Sequence, residues 1–280
     1  MITMKKPTSA ANRYVFQHLL KYMPVLAFLL LSELVASAQA VRLIAHRGGV
    51  VDSTYTENSL PALMQAAKEG YAMIETDVRV TKDGQLIANH DADFKRFYGL
   101  DKRVVDMEWS DVKKLKSTLD GGSPVLLEDV FRFCREHQMG VMLDNKIRGM
   151  DVKLFEKLIA LVEKYQLRES ALMIGTDEST DFFTGKIRLS CSRKQLEENM
   201  QKTGYKSENY FFFERPANLS VGDVKWAKSL GIVTIAAINT YHYRDSKDAL
   251  SDAREDCKRM LGFGVTTFQI DSEYRKFLVN

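Results

Sequence analysis

The chain has 280 residues, of which 45% are hydrophobic and 28% are charged, and its 40 Lys/Arg and 37 Asp/Glu give a formal net charge of +3. It contains no internal repeat and no low-complexity segment, which excludes repeat architectures and biased disordered chains. Its cysteines are widely spaced without a C-x-x-C pair, which excludes a zinc site built on sulfur and predicts mostly buried thiols with at most one disulfide; they are Cys134, Cys191 and Cys257.

The first 40 residues have the pattern of a secretory signal peptide. A basic region precedes the apolar stretch 25–31, and Ala38 and Ala40 supply the small residues of a cleavage site after Ala40. The apolar stretch is too short to span a bilayer, and an uncleaved membrane anchor is the alternative. We therefore expect an exported protein, periplasmic or secreted, with a signal peptide at 1–40 and one domain at 41–280.

The net positive charge belongs to this leading segment. Without its four Lys/Arg and one Glu, the 40 basic and 37 acidic residues become 36 of each. A balanced domain without a basic tail or stripe does not have the charge pattern of nucleic-acid binding. We therefore expect no nucleic-acid partner.

Strand-like and helical patterns alternate from residue 41 onward. A strand is predicted at 41–45, a helix at 59–70 and a second strand at 71–80. Asp83-Gly84 lies between two extended runs, which predicts a hairpin in which 85–89 returns antiparallel to 72–80. The polar stretch 92–123 that follows is predicted to be irregular.

The alternation continues to the end of the chain. Helices are predicted at 126–138 and 150–165, and around 194–202, 220–230 and 247–261; strands are predicted at 140–146, 171–175, 187–191, 209–213, 232–238 and 265–270. Without the hairpin return these make eight strands, which predicts an α/β fold, a (β/α)8 TIM barrel with a β-hairpin extension after the second strand. A doubly wound open sheet is the alternative.

Ionisable residues collect where the predicted strands end, which is where a barrel carries its functional groups. In chain order they are His46-Arg47, Glu75, Asp77, His90-Asp91, Asp144, Lys146, Asn239, His242 and Asp271.

Three of these carboxylates predict a metal site. Glu75 and Asp77 are two residues apart on one strand, so their side chains project to the same face. Two carboxylates buried together repel each other unless one is protonated or a cation lies between them. With Asp144 from the next barrel strand they form an oxygen-rich set suited to Ca²⁺ or Mg²⁺.

His46 and His90 are the predicted proton-transfer residues, because imidazole titrates nearest to neutral pH. Two histidines beside a divalent cation suit displacement at phosphorus: one takes a proton from the attacking oxygen and the other protonates the leaving alkoxide. Arg47 would neutralise the phosphoryl oxygens. His242 follows the seventh strand and is a candidate for the cleft.

The chain resembles the glycerophosphodiester phosphodiesterase family. The matching segments are "HRG" (46–48), "ENS" (57–59), "ETDVRVTKDGQLIANHD" (75–91), "LLED" (126–129) and "LDNK" (143–146). The resemblance implies a phospholipase-C-like barrel that hydrolyses a small-molecule glycerophosphodiester to glycerol 3-phosphate and an alcohol. It also implies metal ligation by Glu75, Asp77 and Asp144, acid/base catalysis by His46 and His90, and phosphate contact or support by Arg47, Lys146, Glu57 and Asn58. Further candidates for the cleft are Glu128, Asn239 and His242.

Two alternatives stay open. The family usually has Glu-x-Lys where this chain has Asp144-x-Lys146, and the distantly similar sphingomyelinase D enzymes, which expel the headgroup by internal attack of a substrate hydroxyl, look closer there. A lyase of this kind acting on lysolipids would need a membrane-contacting rim, and 94–109 carries aromatic and basic residues that suit transient membrane contact. The other alternative is a catalytically impaired metal-binding domain. The sequence does not specify an oligomeric state.

Overall fold

Eight parallel strands form a closed barrel in the computed structural model, which describes residues 40–49 and 54–279. Each strand pairs with the next, and β1 pairs with both β2 and β8, which closes the ring. The strands are β1 (Arg42–Ala45), β2 (Met73–Val80), β3 (Gly140–Asn145), β4 (Leu172–Ile174), β5 (Arg188–Cys191), β6 (Tyr210–Glu214), β7 (Thr234–Ile238) and β8 (Thr267–Ile270). The predicted TIM barrel is confirmed, and closure excludes the open sheet. Apart from Ala40, the predicted signal peptide lies outside the described residues.

A helix follows each of the first seven strands, and a 3-10 segment, Ser272–Phe277, follows β8. The helices are α1 (Leu60–Lys68), α2 (Leu127–Glu136), α3 (Val152–Lys164), α4 (Thr180–Phe183), α5 (Arg193–Asn199), α6 (Val221–Ser229) and α7 (Ala249–Phe263). Ser59 caps α1 by accepting a hydrogen bond from the Ala62 amide, as the predicted helix start requires. Within the described part of the chain, no helix has both the length and the apolar character needed to cross a membrane.

The core has two layers, because alternate residues of each strand face the barrel interior and the surrounding helices. The interior is filled by one buried residue from each of six strands: Ile44, Met73, Met142, Leu172, Phe211 and Ile235. The larger layer packs between the strands and the helices and contains all three cysteines, which are buried and free. Glu75 follows Met73 on the inner face of β2, and Asp144 follows Met142 on β3, so the polar residues begin where the apolar filling ends.

The extension after β2 differs in part from the prediction. Its return strand, Leu86–Ala88, pairs antiparallel with β2 as expected. The stretch 92–123 is not irregular throughout: Asp93–Phe94 pairs with Leu100–Arg103, and short helices cover Lys95–Tyr98 and Trp109–Val112. These elements have two to four residues each, which is too short for a periodic pattern in the sequence. They enclose a small core of their own, formed by Ile87, Phe94, Val104 and Val112.

Candidate active site

A cavity of about 740 Å³ opens at the carboxyl ends of the barrel strands. Its lining includes six of the residues predicted from the strand ends, together with residues at the end of β6. The predicted residues on its wall are His46, Arg47, His90, Asp144, Asn239 and His242. The structure therefore brings residues from the first half of the barrel, β1 to β4, and from the second half, β5 to β8, to one site.

The turn after β1 positions Arg47. Its backbone lies in the left-handed region (φ 51°, ψ 40°), which is strained for a residue with a side chain, and its amide donates a 2.6 Å hydrogen bond to Glu75 Oε2. Gly48 and Gly49 complete the turn at φ +82° and +125°. A Cβ on Gly48 would crowd the backbone of Asn58, and a Cβ on Gly49 would crowd helix α1, so the turn packs closely against both.

Three carboxylates converge beside this turn. One oxygen each from Glu75, Asp77 and Asp144 lie within 4.8 Å of one another, and the first two side chains are almost fully buried. Burial, reinforced by the charges of Asp77 and Asp144, raises the pKa of Glu75 well above its ordinary value. Asn58 supports the cluster: its Nδ2 donates to Asp77 Oδ2 at 3.1 Å, and its Oδ1 accepts from Thr76.

Lys146 partly neutralises the cluster. Its Nζ lies 2.6 Å from Asp144 Oδ2 and 3.4 Å from Asp77 Oδ1. Burial opposes its charge, but Asp144 and Asp77 outweigh burial and raise the pKa of Lys146. One ammonium for three carboxylates leaves an excess of negative charge, and the donor set consists of hard oxygen ligands without sulfur or imidazole. These residues therefore fit a divalent cation such as Ca²⁺ or Mg²⁺.

His46 is held by an aspartate from the far end of the chain. Its Nδ1 lies 2.5 Å from Asp271 Oδ1, and Asp271 Oδ2 accepts hydrogen bonds of 2.6 Å from the amide and the hydroxyl of Thr240. Although Asp271 is buried, these hydrogen bonds keep its pKa below the ordinary value, so it is an ionised acceptor. His46 therefore carries a proton on Nδ1 and leaves Nε2 available.

His90 is held in the same way. Its Nδ1 lies 2.8 Å from Asp91 Oδ1, and this hydrogen bond, together with Arg96, lowers the pKa of Asp91. Arg47 Nη2 lies 2.9 Å from His90 Nε2; a guanidinium only donates, so Nε2 is the acceptor and Nδ1 carries the proton. Both histidines thus bind an aspartate through Nδ1.

Two arginines, Arg47 and Arg96, link Glu57 to the segment that carries His90 and Asp91. Arg96 binds both Asp91 and Glu57, and Arg47 binds Glu57 at 3.1 Å. Glu57, His90 and Asp91 also lie close enough to hold a metal, but the two guanidinium groups already bind the carboxylate of Glu57. Arg47 Nε is buried with no hydrogen-bond partner among the described residues, so one of its donors is free for a ligand.

Glu128 was predicted as a cleft residue, and this was wrong. It lies in the first turn of α2, where its carboxylate binds Lys164 Nζ at 2.5 Å and Tyr165 Oη at 3.0 Å, on the outside of the barrel. Because helix α2 starts at Leu127, Glu128 is already a helical residue, and it is not among the residues that line the cavity. Asn239 and His242, by contrast, do line the cavity.

Sequence reasoning gave no role to Asp91, Asp271, Thr240 and Arg96. Asp271 was visible as an acidic residue after the eighth strand, and Asp91 directly follows His90. Their pairing with the histidines was not visible in the sequence; His46 and Asp271, for example, are 225 positions apart.

Comparisons with known proteins identify the family of the chain. The model of the glycerophosphoryl diester phosphodiesterase family matches residues 46–202. The chain is 35% identical to rat lysophospholipase D GDPD1 over 150 residues, which is 49% of this chain and 46% of that protein. It is 34% identical to mouse glycerophosphodiester phosphodiesterase 1 over 115 residues, 38% of this chain and 34% of that protein. The chain thus spans less than half the length of these relatives.

Solved structures share the fold. A glycerophosphoryl diester phosphodiesterase from Parabacteroides distasonis has a TM-score of 0.70 at 18% identity, covering 86% of this chain and 87% of that one. A phosphodiesterase from Oleispira antarctica, solved with the product sn-glycerol-3-phosphate, has a TM-score of 0.63 at 17% identity, covering 84% and 94%. With a family match over more than half of its length, the chain belongs to the glycerophosphoryl diester phosphodiesterase family.

Proposed function

We propose that this protein is a metal-dependent phosphoric diester hydrolase that converts glycerophosphodiesters to glycerol 3-phosphate and an alcohol. One observation carries the proposal: His46 and His90, each held through Nδ1 by an aspartate, line the cavity that Asp144 of the three-carboxylate cluster also lines. Relatives named glycerophosphodiester phosphodiesterase and a structural neighbour solved with sn-glycerol-3-phosphate support this choice of substrate.

The histidines supply the proton transfers. The Nε2 of one accepts a proton from water as the water oxygen forms a bond to phosphorus, and the other gives its proton to the alkoxide as the second phosphorus–oxygen bond breaks. Asp271 and Asp91 stabilise the charged form of each ring. Arg47, with its free Nε, is placed to bind the phosphoryl oxygens, and its move toward phosphate would release His90 Nε2.

Glu75, Asp77 and Asp144 would hold the cation. A bound divalent cation supplies electrostatic stabilisation to a phosphoryl group whose negative charge grows during displacement. Lys146 keeps two of these carboxylates oriented toward the site.

Replacement of either histidine tests the proposal. His46→Ala and His90→Ala should each lower kcat by about 10²–10⁴, the usual contribution of a general acid or base. The control is His137→Ala, because His137 is an exposed histidine that stacks on Phe133 at the end of α2. Release of glycerol 3-phosphate from glycerophosphocholine is the measurement. Near-normal turnover by either active-site variant would sink the acid/base assignment.

We also propose that the protein is exported. The support is the basic region, the apolar stretch 25–31 and the small residues Ala38 and Ala40. N-terminal sequencing of protein recovered from the periplasm or the medium should start at Val41. A chain recovered only from the cytosol, starting at Met1, would contradict export.

A further inference from the structure

The far wall of the cavity has no role in the proposed chemistry. In a ring of eight strands β6 lies four strands from β2, so it faces Glu75 and Asp77 across the barrel mouth. One cavity joins the histidines and Asp144 to the ends of β6 and β7, so it offers this wall to one alcohol group of a phosphodiester bound at the histidines. The residues there decide which alcohol fits.

Arg215 is an unpartnered cation on this wall. It directly follows β6 and lines the cavity, and its guanidinium has no hydrogen bond or ion pair with any residue that the structure describes. Glu214 beside it also lines the cavity, but its carboxylate already accepts a 2.9 Å hydrogen bond from Asn218 Nδ2. By contrast, Arg47 and Arg96 both bind carboxylates.

A second free donor comes from β7. Asn239 is 5% exposed and lines the cavity, and its Nδ2 is buried without a hydrogen-bond partner among the described residues. An amide donor that is buried without a hydrogen-bond partner destabilises the fold. An unpaired donor at a cavity wall therefore indicates that a bound ligand supplies the acceptor.

The strand register brings the two donors to the same wall. Glu214 pairs with Ala236, so Arg215 lies beside Ala237, and Asn239 follows two residues later on the same face. Ala237 also lines the cavity, and its short side chain leaves room between the donors. Burial lowers the pKa of the neighbouring His242, and the charge of Arg215 lowers it further. The lowered pKa favours the neutral imidazole, so Arg215 is the charged group of this wall.

We propose that Arg215, assisted by Asn239 Nδ2, forms a subsite for an anionic group, a carboxylate or a phosphate, on the alcohol of the phosphodiester. The subsite deepens the proposed function and rests on it. It makes the enzyme selective for phosphodiesters whose headgroup carries a second negative charge.

Two matched pairs of substrates isolate that charge. Glycerophosphoserine differs from glycerophosphoethanolamine by one carboxylate, and glycerophosphoinositol 4-phosphate differs from glycerophosphoinositol by one phosphate. For each pair the measurement is the ratio of kcat/KM for the anionic compound to that for its partner. Arg215→Ala should lower at least one ratio by about tenfold or more, the value of a charge-assisted hydrogen bond, and Arg215→Lys should give an intermediate ratio.

The pair that responds identifies the anion. Arg135→Ala is the control, because Arg135 is an exposed arginine on α2 outside the cavity and its removal changes the charge equally. Both ratios staying within about twofold of wild type in Arg215→Ala would overturn the subsite.

Binding separates this inference from the hydrolase proposal. Calorimetric titration of the same four compounds into His46→Ala, with and without Arg215→Ala, gives ratios of Kd that need no turnover. If wild type turns over none of the compounds but the Kd ratios depend on Arg215, the hydrolase fails and the subsite stands. If turnover is normal and neither kind of ratio responds, only the subsite fails.

Discussion

Two histidine–aspartate pairs define the site at the scale of single residues. His46 and Asp271 join the two ends of the barrel sequence, whereas His90 and Asp91 are neighbours in the chain. In both pairs the carboxylate binds Nδ1, which fixes the tautomer and orients the ring. The two histidines proposed for proton transfer are therefore held by the same kind of hydrogen bond.

Asp271 is expected to act as a positioning residue for His46. Asp271→Asn keeps the shape and an acceptor for Thr240 but removes the charge that stabilises the imidazolium. We expect kcat to fall about 100-fold or more while KM changes little, because proton transfer and not binding is affected. Steady-state kinetics on a glycerophosphodiester measures both parameters.

The matched control is Asp256→Asn, because Asp256, like Asp271, accepts a hydrogen bond from a side-chain hydroxyl, here that of Tyr243, but lies on α7 away from the histidines. We expect Asp256→Asn to keep a kcat close to wild type. If Asp271→Asn keeps an equally high kcat, Asp271 is not a positioning residue for His46.

Single residues were predictable where a local pattern carried them. Glu75 and Asp77 were predictable because strand alternation places them on one face, and His46 and His90 because they follow strands. The partners Asp271 and Arg96 were not predictable, because the contact of Asp271 arises only when the barrel closes and that of Arg96 only when its segment folds against Glu57 and Asp91.

At the scale of elements, Gly49 after β1 has the closest packing of the glycines that the structure describes. A Cβ on Gly49 would lie 2.6 Å from Ala66 Cβ and 2.9 Å from Ala62 O, both on α1, at a φ of +125°. A Cβ on Gly84, at φ +74° in the hairpin after β2, would meet nothing within 4 Å. The two glycines thus separate backbone strain from steric conflict.

Gly49→Ala is expected to cost more stability than Gly84→Ala. The hairpin variant carries only left-handed strain, about 1–2 kcal/mol. The turn variant adds overpacking against a backbone carbonyl, which typically costs about 1–3 kcal/mol more. Equilibrium denaturation in urea gives both free energies of unfolding, and equal losses would show that α1 yields to the added methyl group.

Elements were predictable in proportion to their length. Helix α3 has 13 residues and a clear amphipathic period, and its predicted position agrees with the structure. Within 92–123 the elements have at most four residues, and Tyr98 and Trp109 pack against the small core that contains Phe94. Two basic residues of this segment form exposed ion pairs, Lys95 with Asp101 and Arg103 with Asp106.

At the scale of the whole molecule, barrel closure creates the site. The acid cluster comes from β2 and β3, His46 from β1 and Asp271 from β8, so only a closed ring brings them together. The count of eight strands predicted this closure. Periodicity alone could not, because an open sheet and a barrel share the same alternation of strands and helices.

Metal binding should stabilise the whole domain. A cation that binds only the folded state at 100 times its Kd adds about 2.7 kcal/mol, which for a domain of this size raises Tm by about 5–10 °C. We expect Ca²⁺ or Mg²⁺ to raise Tm after treatment with EDTA. Asp77→Asn should abolish this shift, and Asp101→Asn, an exposed carboxylate variant, should retain it. An equal shift in both variants would place the cation elsewhere.

The most direct measurement of the central claim is product analysis in ¹⁸O-labelled water. Glycerophosphocholine is incubated with the protein and Ca²⁺ or Mg²⁺, and the products are followed by ³¹P NMR and mass spectrometry. Hydrolysis at phosphorus by the two histidines predicts glycerol 3-phosphate carrying one ¹⁸O and choline carrying none. A cyclic phosphate, label in the choline, or no turnover with either cation would contradict it.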